Sequence, residues 1–197
     1  MVTTNNDEYA EKINTLRNHG ASVSEEERHL GPKPYILPDF NLLGYNYRMT
    51  DLQAAVGIVQ LSKLDWLIDE RQKWAEYYNN ELKNISWLRV PRISKEYKHG
   101  WQSYVCMVDP EIIGAGETKS RLSRNKVMSF LQERGISTRP GTHAVHILGY
   151  YSKKFGIKPQ DFPNAYKANE YSIAIPLHNK MTKDDFEYVA TTLKEIK

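Results

Sequence analysis

The segment that decides the fold is GYNYRMTDLQAAVGIVQLSKL, which spans Gly44–Leu64. It opens with a polar, aromatic turn, and Thr50 and Gln53 then have the spacing of a capping box. In that motif a hydroxyl and a side-chain amide bond the free backbone donors at a helix start. The next residues, 52–58, are almost all apolar and several are small, which predicts a helix buried on several sides. A turn of this kind at the start of a buried helix is a candidate ligand site.

The composition is that of a globular protein and excludes several classes of function. The 27 basic and 24 acidic side chains are spread along 197 residues without a block of five like charges, which argues against a nucleic-acid partner. No apolar run approaches the ~18 residues of a membrane span, and the start has no signal-peptide pattern. Cys106, the only cysteine, lies in an apolar strand pattern and is expected to be a buried, inert thiol. We therefore predict a cytoplasmic protein with no membrane partner.

The order of the predicted elements indicates an α/β to α+β fold. A strand over residues 1–4 precedes a helix capped by Asn5 or Asn6 and closed by Gly20, and an irregular segment follows over 21–43. The helix that starts at Thr50 continues to about residue 83, a length that requires it to bend or to bridge two domains. Residues 85–197 then have a β-β-α-β-α-α-β-α pattern, typical of a small antiparallel sheet covered by helices. The predicted domains are 1–50, a long inter-domain helix over 51–84, and 85–197.

Other motifs give little support for catalysis by this chain. Gly114 and Gly116 match part of a dinucleotide fingerprint, but Lys119 replaces the third glycine. His143 and His146 are three residues apart on a predicted helix, 143–155. They lack a further metal ligand with recognisable spacing, so they are structural polar residues or active-site contacts. The lysines lie in polar or helix-surface contexts unlike that of a Schiff-base lysine. We predict no catalytic residue and no metal site.

The turn before the central helix has the chemistry of an anion site. The amide of Asn46 can donate to phosphate oxygens, and the guanidinium of Arg48 can form a charge-assisted fork with phosphate or carboxylate. The alternative is that both side chains only cap and brace the start of the helix. Chemistry alone leaves both interpretations open.

Four ordered segments resemble the DegT/StrS-type aminotransferases, pyridoxal 5'-phosphate (PLP) enzymes of fold type I that act on nucleotide-linked keto sugars. The central segment GYNYRMTDLQAAVGIVQLSKLD is similar to the signature of that family. The start, MVTTNNDEYAEKINTLRNHG, resembles the strand and helix that follow the cofactor lysine. The segments GISTRPGTHAVH and IPLHNKMTKDDFEYV resemble the substrate-side segment and the C-terminal ending.

The resemblance implies roles for individual residues. Asn46 matches the asparagine that reaches across a dimer to the cofactor phosphate of the other subunit, and Arg48 and Tyr45 flank it in the same motif. His146 matches a histidine on the sugar-nucleotide side of the pocket. Arg139 lies in a Thr-Arg-Pro sequence similar to that of perosamine-synthase-like members, which favours a 4-keto sugar. Residues 142–144 depart from the aromatic-rich form of this segment, so the substrate stays open.

The resemblance also implies a missing half. A complete member is roughly twice as long, and its N-terminal half carries the cofactor lysine, the carboxylate that partners the pyridine nitrogen and the residues that stack on the ring. We therefore expect the C-terminal half of an aminotransferase, inactive alone, that works as a homodimer or with an N-terminal-half polypeptide on a nucleotide sugar. The alternatives are a subunit of a split enzyme and a non-catalytic module that binds nucleotide sugars.

Overall fold

A computed structural model describes residues 2–24, 37–109 and 123–196 of the chain. Its contacts divide the chain into two compact units, residues 1–62 and 63–197. The stretch expected to form one long helix over 51–84 forms two, α2 (Asp51–Leu61) and α3 (Leu64–Leu82). The unit boundary falls at the interruption between them. The predicted Gly114/Gly116 loop lies outside the described residues.

The first unit is built around a helix, α1 (Asp7–Arg17), whose predicted start and end are confirmed. The side chain of Asn6 caps it by accepting a hydrogen bond of 3.0 Å from the backbone N–H of Tyr9. Gly20 follows the helix with φ +81°, in the left-handed region that favours glycine. The strand predicted over residues 1–4 is absent from residues 2–4, where the backbone has no sheet partner to pair with.

Helix α2 begins as predicted but is not buried. Thr50 and Gln53 form the complete capping box. However, Leu52 is 82% exposed and Ile58 69%, and α2 has no buried residue. The prediction of burial on several sides is therefore wrong for this chain. The physical reason is that the described residues of the first unit form only one other helix, too little apolar surface to cover α2.

The second unit contains the predicted antiparallel sheet. Its strands are β1 (Leu88–Arg89), β2 (Tyr104–Val108), β3 (Arg139–Pro140) and β4 (Ser172–Ile175), in the spatial order β1-β2-β4-β3. All three strand pairs are antiparallel. The register places Cys106 opposite Ile173 and Arg139 opposite Ala174.

One face of this sheet and two helices form the core of the second unit. Helix α7 (Lys183–Lys194) starts with a Thr182/Asp185 capping box, and its apolar face is buried. Phe186 of this helix is fully buried and stacks on Trp74 of α3, with ring centroids 4.2 Å apart. Tyr78 of α3 packs on the same phenyl ring at 5.3 Å. Aromatic stacking between α3 and α7 therefore joins the two helices over the sheet.

The remaining helices lie between the strands in sequence. They are α4 (Arg124–Glu133), α5 (Gly149–Phe155) and α6 (Pro163–Tyr171), with short 3₁₀ turns at Val145–Ile147 and Pro159–Asp161. The single helix predicted over 143–155 is wrong, because Leu148 is extended and separates the 3₁₀ turn from α5. None of the helices in the described ranges has both the length and the apolar character to cross a bilayer.

Candidate functional site

The polar turn 44–48 is fixed to the C-terminal end of α1 by backbone hydrogen bonds. The N–H of Tyr45 donates to the carbonyl of Leu16 at 2.7 Å, and the N–H of Tyr47 donates to the carbonyl of Arg17 at 2.9 Å. The N–H of His19 donates back to the carbonyl of Tyr45 at 3.0 Å. The last carbonyls of a helix lack hydrogen-bond donors within the helix, and this turn supplies donors to two of these carbonyls. The turn is therefore held at a defined position.

Two glycines allow this close approach. A Cβ atom on Gly44 would lie 2.1 Å from the backbone nitrogen of Gly20, and one on Gly20 would lie 1.9 Å from the carbonyl oxygen of Leu42. Both distances are far shorter than any real carbon contact, and backbone atoms cannot move aside as a side chain can. Only glycine fits at these two positions, which the sequence places on either side of the irregular segment.

The guanidinium of Arg48 is tethered to the end of α1. Its Nη1 donates to Oδ1 of Asn18 at 2.5 Å. Asn18 is 9% exposed, whereas Arg48 lies at the surface. A guanidinium has five N–H donors, so a single tether leaves most of them for a ligand. The arrangement gives a positive group of fixed position that can bind phosphate or carboxylate.

Tyr45 and Asn46 lie beside this arginine on the same turn. The rings of Tyr45 and Tyr47 stack with centroids 5.1 Å apart and an angle of 8°. The side chain of Asn46 lies at the surface, and its backbone forms a β-bridge with Asn18. A cavity of about 680 Å³ is lined by the last turn of α1 together with Arg48. Arg48 lines this cavity, whereas Tyr45 and Asn46 lie next to it on the same turn at the surface.

His146 and Arg139, the two predicted substrate-side residues, belong to the second unit. The ring of His146 is 8% exposed, with Nε2 3.4 Å from the carbonyl oxygen of Pro159 and the ring 5.1 Å from that of Phe162. His143 is exposed and does not share a helix with His146, so the predicted placement of both residues on one helix is not observed.

Arg139 begins strand β3 and its side chain is exposed. The guanidinium is anchored locally, because Nη1 donates to the carbonyl of Thr138 at 2.9 Å and contacts Oγ of Ser137 at 3.4 Å. The anchored head group remains open to solvent and can meet an anionic ligand.

The structure also shows residues that sequence reasoning missed. Asn18 holds Arg48 in the first unit. In the second unit, Oδ1 of Asn169 accepts a hydrogen bond of 3.0 Å from the N–H of Ala144 and so braces the segment before His146. Both contacts join residues more than twenty positions apart. No local pattern in the sequence predicts these two hydrogen bonds.

The described residues offer no metal-binding cluster and no activated thiol. No group of three or more histidine, cysteine, aspartate or glutamate side chains within these ranges could hold a metal ion. Cys106 is fully buried in β2, and burial raises the pKa of its thiol to about 12. The thiol is therefore protonated at neutral pH, which confirms the prediction of an inert cysteine.

Residues 1–194 match the model of the DegT/DnrJ/EryC1/StrS aminotransferase family. The chain belongs to this family. Two relatives that it resembles over its full length are an uncharacterized protein of Methanocaldococcus jannaschii, at 36% identity, and the spore coat polysaccharide biosynthesis protein SpsC of Bacillus subtilis, at 33%. The match covers 49% of each relative, so the chain spans about half the length of these family members.

Solved structures of sugar aminotransferases share the fold. Helicobacter pylori PseC, an aminotransferase involved in the biosynthesis of pseudoaminic acid, is similar over 98% of this chain and 47% of its own, with a TM-score of 0.77 at 19% identity. The PLP form of Spr1654 from Streptococcus pneumoniae is similar over 98% and 44%, with a TM-score of 0.74 at 22% identity. The predicted fold class, part of a fold type I aminotransferase, is confirmed.

Proposed function

We propose that this chain is the C-terminal half of a PLP-dependent aminotransferase that transfers an amino group from glutamate to a nucleotide-linked keto-deoxy sugar. The family match over residues 1–194 supports the reaction class. The names of SpsC and PseC connect those relatives with polysaccharide and pseudoaminic acid biosynthesis, which favours a sugar substrate. The coverage of about half of each relative supports a chain that works as part of a larger site.

The observation that carries this proposal is the fixed turn 44–48. Its surface asparagine and tethered arginine suit the phosphate of PLP, because an amide N–H and a guanidinium fork both donate to phosphate oxygens. The exposed ring of Tyr45 adds a flat apolar surface beside them. When bound, PLP supplies the electron sink that amino transfer requires. In this proposal Asn46, Arg48 and Tyr45 bind and orient the cofactor, and this chain contributes no catalytic residue.

The second unit is proposed to contact the substrate through Arg139 and His146. The surface guanidinium of Arg139, held by Thr138, suits the diphosphate of a nucleotide sugar. The imidazole of His146 is fixed by its contacts with Pro159 and Phe162, and it can offer its small exposed edge to a sugar hydroxyl. The sequence similarity around Arg139 favours a 4-keto sugar.

An assay with two polypeptides tests the proposal. The purified chain is mixed with PLP, glutamate and a nucleotide-linked 4-keto sugar, with and without a polypeptide that carries the lysine-bearing half. We expect 2-oxoglutarate only when both polypeptides are present, because the residue that anchors the cofactor lies outside these 197 residues. Turnover by the chain alone would contradict the proposal. Replacement of Asn46 by alanine in the mixture should raise the concentration of PLP needed for half-maximal activity.

A split enzyme is the second candidate, and the half-length match to the relatives favours it. In that case a separately encoded subunit would supply the lysine and the residues that bind the pyridine ring. The two kinds of polypeptide together would form the complete site. Sequencing the DNA immediately upstream distinguishes the two candidates. A separate gene for the missing half indicates a split enzyme, whereas an in-frame continuation indicates one longer chain.

A further inference from the structure

Asn18 links the end of α1 to the polar turn 44–48 in two independent ways. Its backbone forms the β-bridge with Asn46, and its side-chain oxygen accepts the hydrogen bond from Arg48. Its own N–H donates to the carbonyl of Thr15 at 3.1 Å, so the residue is itself fixed to the helix. Asn18 is the most deeply buried polar residue of the described first unit, at 9% exposure.

The side-chain contact matters because, within residues 2–24, 37–109 and 123–196, it is the hydrogen bond that holds the Arg48 side chain. Arg48 lies at the surface, and a long, exposed arginine samples many rotamers that must be frozen when a ligand binds. A hydrogen bond from a buried acceptor removes part of that freedom in advance. Asn18 is itself buried and its backbone is bonded to α1 and to Asn46, so this acceptor has a defined position.

On the basis of the proposed function, we propose that Asn18 is a positioning residue that preorganises Arg48 for the cofactor phosphate. It does not touch the ligand. It fixes the guanidinium at the end of α1, on the turn that also carries Asn46, so that phosphate binding requires less further ordering of the arginine. Loss of this preorganisation should weaken phosphate binding by about 2- to 12-fold, the cost of immobilising one long side chain.

Nuclear magnetic resonance of the full chain, labelled with nitrogen-15, tests this inference directly. The probes are inorganic phosphate and pyridoxamine 5'-phosphate, which carries the same phosphate group as PLP but cannot condense with lysines. In the wild type we expect restricted rotation of the Arg48 guanidinium and shifts of Asn46 and Arg48 signals on titration. In Asn18→Ala the Arg48 signals should average and the dissociation constant should rise by about 2- to 12-fold. The backbone bridge to Asn46 should persist, because the alanine keeps the same main chain.

Two further variants control for structural damage. Asn14→Ala removes an equivalent asparagine oxygen one turn earlier on α1, where it accepts a hydrogen bond of 3.0 Å from Nε of Arg17. Because Asn14 also lines the cavity beside Arg48, only the Arg48 signals are compared in this variant, and they should stay restricted. Asn18→Asp keeps an acceptor of the same shape and should retain the restricted Arg48 signals, which distinguishes a lost acceptor from lost bulk if Asn18→Ala unfolds.

The outcomes separate this inference from the proposed function. Arg48 signals and phosphate affinity that stay unchanged in Asn18→Ala would overturn the positioning role while the proposed function stands. Equal averaging of the Arg48 signals in Asn14→Ala and Asn18→Ala would also overturn it, because the effect would then be general to α1. A wild-type chain whose turn 44–48 shows no shift with either probe would overturn the proposed cofactor role, and the positioning role with it.

Discussion

Replacement of Phe186 by alanine should remove much of the stability of the second unit. Phe186 has no exposed surface, stacks on Trp74 at 4.2 Å and contacts the ring of Tyr78 at 5.3 Å. Truncation of a buried phenylalanine costs about 3 to 5 kcal/mol, because the surrounding structure collapses only partly into the cavity. Domains of this size are stable by about 5 to 15 kcal/mol in total. The variant should therefore retain the fold with a much lower resistance to denaturant.

Urea denaturation followed by tryptophan fluorescence and far-ultraviolet circular dichroism measures this loss. The fluorescence averages over the four tryptophans, of which Trp87 and Trp101 are buried in the same core as Phe186, while circular dichroism reports the helices. Thr191→Ala is a matched control, since Thr191 lies on the exposed face of the same helix and its change should stay within about 0.5 kcal/mol. A loss below about 1 kcal/mol for Phe186→Ala, or an equal loss for the control, would refute the assignment of Phe186 to the centre of this core.

Further measurements test other parts of the structure. Thr182→Ala removes the side-chain cap of α7 and should cost about 1 kcal/mol in the same urea experiment. Hydrogen bonds from Thr182 lower the pKa of Asp185, so the stability that the ionised carboxylate contributes is present above the usual aspartate pKa and is lost as the pH falls through the lowered pKa. Burial raises the pKa of Cys106 to about 12, so iodoacetamide at pH 8 should label its thiol only after denaturation; prompt labelling of the native chain would contradict this. The free energy of unfolding should also fall as the pH rises from about 9 towards 12, because the unfolded thiol ionises first. The wild-type chain should associate at micromolar concentration through the exposed α2, as measured by light scattering, and Val56→Glu should reduce this; a monomeric wild type would count against it.

Local sequence rules predicted the element boundaries that depend on caps and breakers. Thr50 with Gln53 and Asn6 both begin helices as expected, because each cap is completed within one turn of the chain. Period-two burial in β2 and the apolar face of α7 were also predictable, since both follow from the direction of successive side chains.

The sequence-based predictions were wrong where contacts between distant residues, or the lack of packing partners among the described residues, decide the structure. The sequence of α2 is that of a buried helix, yet burial depends on elements that the described first unit does not contain. The 143–155 segment has helical composition, but its extended Leu148 interrupts it. At the candidate site, Asn46 and Arg48 were found through a family motif. Asn18 was not, because its contact with Arg48 spans thirty residues.

The central claim is that this chain binds the cofactor phosphate without providing the covalent anchor. The most direct test incubates the purified full chain with PLP, reduces it with borohydride and maps the modified lysines by mass spectrometry. The claim predicts low labelling spread over several surface lysines and no stoichiometric visible absorbance of bound cofactor. One lysine that carries PLP in a 1:1 ratio with the chain would contradict it.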